Sequence, residues 1–145
     1  MLYSFIIYIH VISAILSIGP FFILLPILKK MSKTNNMVEF GAFVQAFQAG
    51  VTTVKHAGHL LVTFGLLAVW LGPWSLTTSW ILVTLILLIL SVVYLANAFK
   101  PTIRTLGTEK FDQIKFVKKL KQGVYVYLFL LLVMLWLMVD KPTLW

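Results

Sequence analysis

Three histidines are the residues in this chain whose chemistry and placement stand out: His10, His56 and His59. Each lies inside a long apolar run, and none lies in a polar loop. An ionisable or metal-ligating side chain is costly inside a bilayer, so its presence there points first to function. Imidazoles held in a helical membrane bundle are the usual axial ligands of haem b, whose flat macrocycle fits between apolar side chains. Haem propionates need cationic partners, and Lys55 and Arg104 are candidates, with Lys100 beside them. His10 together with His59 or His56 would make a bis-histidine electron carrier. A single histidine ligand would leave iron open to a small molecule.

Copper is the alternative metal. His10 with Met134 and Met138 would form a soft site. Zinc fits less well, because catalytic zinc usually takes three strong ligands, often with a carboxylate, and no acid lies in an apolar run. A third use is a histidine hydrogen-bonded to a quinone carbonyl. Against all of these stands the purely structural role, an imidazole bonding a neighbouring helix for roughly 0.6–2 kcal/mol.

The elements that must position these groups follow from composition. The chain is 145 residues long, 61% hydrophobic and only 11% charged, whereas a soluble domain is about one quarter charged. There is no cysteine, which excludes disulfides, iron–sulfur clusters, thiolate nucleophiles and covalent c-type haem attachment. A transmembrane helix needs about 20 apolar residues. Four runs serve: 2–28, 52–71, 80–99 and 123–139. The expected fold is all-α, a single domain over 1–145 forming a four-helix polytopic membrane bundle. The first run has no preceding basic segment, so it is read as a retained helix rather than a cleaved signal.

Basic residues set the orientation. Eleven of the twelve lie in two segments, Lys29 to Lys55 and Lys100 to Lys121, and the remaining one is Lys141. By the positive-inside rule these segments are cytoplasmic and both termini are outside. The lysines would then face anionic headgroups, and the net charge of +8 reports membrane topology rather than nucleic acid. Trp70, Trp74, Trp80, Trp136 and Trp145 would form the outer aromatic belt.

Two helices should outrun the bilayer. Phe40, Phe43, Val44, Phe47 and Val51 recur at helical spacing before the second span, with Asn36 and Glu39 as a capping box. Phe111, Ile114, Val117, Leu120 and Val124 do so before the fourth, with Thr108 as its N-cap. These stripes should pack on each other or lie on headgroups. A kink is expected near Leu16–Pro20, with Ser17 available to bond the freed carbonyl.

Helical rise places His10 roughly 12 Å and His59 roughly 18 Å below the outer end, with His56 one step deeper. The pattern predicts that His10, Ser13 and Ser17 on the first span, His56, His59 and Thr63 on the second, and Thr84, Ser91 and Tyr94 on the third all turn toward the bundle interior. Gly58, Gly65 and Gly72, seven apart, should mark a close helix contact.

The lead into His10, the turn at Gly19-Pro20, the start Ser79-Trp80-Ile81 and the exit Lys100-Pro101-Thr102-Ile103-Arg104 resemble the small four-helix bacterial membrane proteins of the DUF2269 group. More distantly the chain is similar to the copper-resistance D domain and to HemJ-type membrane protoporphyrinogen oxidase. The resemblance implies a bacterial cell membrane, an association with haem or copper, and a role for His10. The sequence reading is therefore a b-haem-binding membrane protein of redox or haem-handling function. Its alternative is a non-enzymatic subunit or copper-handling protein. A chain this small would complete its site as a homo-oligomer or with a membrane-complex partner.

Overall fold

The computed structural model describes all 145 residues, Met1–Trp145. It is all helical: α1 (Leu2–Met31), α2 (Met37–Leu71), α3 (Ser79–Ala98), the single turn α4 (Lys100–Ile103) and α5 (Gln113–Asp140). Four segments are long and apolar enough to cross a membrane, α3 and α4 counting as one. Helices are the expected answer to hydrocarbon, because each satisfies its backbone internally; 95 of 110 backbone hydrogen bonds lie within the elements.

The short connection after α1 makes α1 and α2 an antiparallel hairpin, packed along its length. α5 lies against α1 on one side and α3 on the other. The helices thus run in the order α2, α1, α5, α3 rather than closing into a ring. Both termini and the α2–α3 loop lie at one end, with the tryptophans. The basic segments lie at the other, the lysine end. α2 is the least enclosed span: 17% of its most apolar stretch is buried, against 28%, 28% and 39% for the others.

The helices do outrun a bilayer. At about 1.5 Å per residue, α2 is about 52 Å long against a hydrocarbon core of about 30 Å. Its excess length meets that of α5 at the lysine end, as the two stripes predict. Phe40, Val44, Phe47, Phe116, Val117, Leu120 and Val124 join one core with Phe21 and Phe99. Phe40 sits 5.6 Å from both Phe111 and Phe116, centroid to centroid, and Phe47 sits edge-on to Phe99 at 5.3 Å. Gly123 lets Phe99 in, since a Cβ there would stand 2.7 Å from the Phe99 ring. Ile114 does not join; it is 81% exposed and Phe116 takes the inward position.

Caps decide the helix starts. Asn36 accepts hydrogen bonds from the Val38 and Glu39 amides, as its position suggests. The fourth span starts later than expected. Thr108 only bonds back to the Thr105 carbonyl, beside Gly107 at φ +79°. Asp112 is the cap instead, accepting from Ile114 and Lys115. A carboxylate beside the first-turn amides also meets the positive end of the helix dipole. Gln113 ties this start to the end of α1 and the loop after it by donating to the Met31 and Thr34 carbonyls.

α1 runs unbroken through Pro20 and Pro26. Ser17 does not bond the carbonyl freed by Pro20: its hydroxyl is buried and has no partner. At the tryptophan end α5 stops at Lys141, which adopts a left-handed conformation and places its ammonium 5.2 Å from the Trp74 ring centroid.

Candidate functional site

His10 and His59 lie on opposite sides of α2. The His10 imidazole leans from α1 onto α2, where Nδ1–H donates to the Leu61 carbonyl at 2.9 Å. A carbonyl can only accept, so this bond puts a proton on Nδ1. Gly65 makes the room: a Cβ there would stand 2.9 Å from His10 Cε1. Of the three expected contact glycines, Gly65 and Gly72 close onto α1 side chains, while Gly58 meets nothing. His10 Nε2 has no protein partner and is not sealed in.

His56, His59 and Thr63 are all exposed. The sequence reading turned them inward, and the structure overturns that. At about 100° per residue, His59 stands roughly 140° round α2 from the direction that faces His10. The buried side of α2 is made by Val54, Ala57 and Ala68, which pack on α1. A single haem pinned between His10 and His59 of one chain is therefore not what the fold presents.

The polar interior belongs to the other helices. Ser13, Ser17, Thr84 and Ser91 are buried, as their spacing suggests. Ser13, Thr84 and Ser91 are spent on carbonyls of their own helices, so they offer little to a ligand. Tyr94 is half-buried. The residue that sequence reasoning missed is Tyr127 of α5, buried beside Ser91 and 4.9 Å from the Phe21 ring. Its spacing with Val124, Leu131 and Met134 was the available signal.

Lys55 is exposed one turn from His59, on the same side of α2 toward the lysine end. Arg104 belongs elsewhere, to a shallow depression formed with Pro101, Thr105, Thr108, Glu109 and Lys110. Met134 is taken up in core packing and Met138 is half-buried. No group of three or more His, Cys, Asp or Glu side chains converges to hold a metal ion.

One turn from His59 toward the tryptophan end, α2 and the loop that follows it form an open apolar groove of about 680 Å³. Thr63, Leu66 and Trp70 supply the helix wall, and Trp74 and Leu76 the loop wall. Trp74 is held edge-on to the buried Trp80 at 5.4 Å, with Lys141 over both rings. An exposed imidazole thus stands between a cation and an apolar groove, all on one helix face. That volume lies within the range of about 300–1,000 Å³ typical of small-molecule and cofactor sites. No protein-family model, curated protein or solved structure matches the chain.

Proposed function

We propose that this chain is an integral membrane b-haem-binding protein with a redox or haem-handling role, and that haem stands on the open face of α2 with His59 as an iron ligand. The carrying observation is the exposed His59 imidazole at mid-span, with Lys55 one turn to one side and the apolar groove one turn to the other. One helical turn is about 5.4 Å, so Lys55 stands where a propionate would need a cation. Leu66 and Trp70 stand where the macrocycle would need apolar cover. Bound haem supplies one-electron chemistry, or ligand binding at an open iron position. The lysine end is assigned to the cytoplasm, against anionic lipid, with both termini outside.

The same face supports a second reading, a non-enzymatic membrane subunit. Exposed polar residues run well beyond the groove, through Thr52 and Gln48 to Gln45, so a neighbouring helix would also cover them. Copper held by His56 and His59 is the metal version of this reading.

The test is a visible spectrum of detergent-purified protein from haem-replete cells, oxidised and dithionite-reduced. Wild type and His10→Ala should show a Soret band, and His59→Ala should lose it. No Soret band in wild type, even after adding haemin, overturns the haem reading, and metal analysis of that sample then tests copper.

A further inference from the structure

Resting on that haem reading, we infer that the binding site is completed by a second copy of this chain, which packs its α2 against the first and contributes its own His59. A bis-histidine site needs two imidazoles on opposite sides of one iron. His10 and His59 of one chain point away from each other across α2, so one chain supplies only one imidazole to this face. His56 is on the same face as His59, and neighbours on one helix face cannot reach both sides of a macrocycle.

The open face has the form of a helix-pairing seam. Ala49, Thr52, His56, His59, Thr63, Leu66 and Trp70 are spaced alternately by three and four residues, and every one is exposed. That alternation averages about 3.5 residues per turn, the repeat that keeps one seam facing a partner helix in left-handed pairs. An arbitrary lipid-facing surface would be apolar, yet Thr52, His56 and His59 are polar and lie within the span; Thr63 donates to the His59 carbonyl of its own helix, and the other three have no such bond. Lipid offers them no hydrogen bonds.

A second copy fits this seam better than an unrelated helix does. Two-fold pairing brings like positions together, and this face is self-complementary. A neutral imidazole and a hydroxyl each both donate and accept, and neither repels its own copy. The seam contains no carboxylate or ammonium that would call for an oppositely charged partner; Lys55 lies beside it. Ala49 permits close backbone approach toward the lysine end, while the larger residues around His59 leave the middle to the haem. Full pairing would also cover the exposed Leu66 and Trp70.

The absence of native cysteine makes the seam directly testable. Ala49→Cys should form a disulfide-linked dimer on mild oxidation in native membranes. Ile89→Cys, on the exposed face of α3, should stay monomeric. In parallel, haemin titrated into purified wild-type protein should saturate at one haem per two chains with a low-spin bis-imidazole spectrum. Saturation at one haem per chain with a high-spin spectrum, and no Ala49→Cys dimer, overturns the shared site and leaves the single-chain haem reading standing. A crosslinked dimer that takes up no haem overturns both the shared site and the haem reading, and leaves α2 as a pairing surface only.

Discussion

The two halves of α2 are one continuous helix in two different environments. From Phe40 to Val54 its inward residues meet α1, Phe99, Phe111 and α5 in an aromatic knot, where Phe40 and Phe47 have no exposed surface. From Lys55 to Leu71 its buried residues, Ala57 and Ala68, are few, Gly65 takes His10 of α1, and its histidines look outward. Phe40, Phe47, Phe111 and Phe116 of this knot lie outside the apolar runs 52–71 and 123–139, so burying them gains from the hydrophobic effect. Inside hydrocarbon that drive is absent, and helices associate only through close packing and hydrogen bonds. The first half is built to hold the fold. The second carries groups that lipid cannot satisfy, and it is the face on which the proposed site stands.

If this division is correct, damage to the knot and damage to the open face should separate cleanly. The largest stability loss is expected for Phe47→Ala, about 3–5 kcal/mol, the usual cost of emptying a buried aromatic site. Denaturant unfolding in detergent micelles would read it, and a loss below about 1 kcal/mol would place Phe47 outside the scaffold.

Gly65→Ala comes next. Its new methyl would stand 2.9 Å from His10 Cε1 and force the ring off the Leu61 carbonyl, for about 1–3 kcal/mol. Combining it with His10→Ala should recover most of that loss, because the clash partner is gone. Additive effects would show that the notch is not built for the imidazole.

Asp112→Ala should cost about 1 kcal/mol by removing the α5 cap, while Thr108→Ala should change little. Equal effects would return the helix start to Thr108.

The smallest stability effect sharpens the contrast most. In haem-free protein His59→Ala should shift stability by no more than about 0.5 kcal/mol, as for other surface positions, while abolishing the Soret band of protein loaded with haem. His10→Ala should do the reverse, lowering stability and keeping haem. A His59 variant that unfolds would move this residue from the open face into the scaffold.

Much of the scaffold was legible in the sequence because a bilayer permits few solutions. Apolar runs of the right length had to be helices, and the basic segments had to share one end. The phenylalanine stripes before spans two and four met as their spacing suggested, because each was too apolar to remain in water. Asn36 was readable as a cap for the same local reason. Asp112 was missed because several polar residues precede α5, and only the folded chain shows which carboxylate reaches the amides.

The histidines mark the boundary between the two kinds of knowledge. By itself the sequence determined that three imidazoles lie in membrane-spanning helices, and that His56, His59 and Thr63 share one face. Helical periodicity fixes relative angles along one helix and nothing more. Which way the face points depends on where α1 docks, and Gly65 decides that by accepting His10 where a side chain would exclude it. The row α2, α1, α5, α3 then leaves the opposite side of α2 uncovered. That outcome belongs to tertiary packing, because in hydrocarbon a face is turned inward by the fit of its neighbours rather than by its polarity alone.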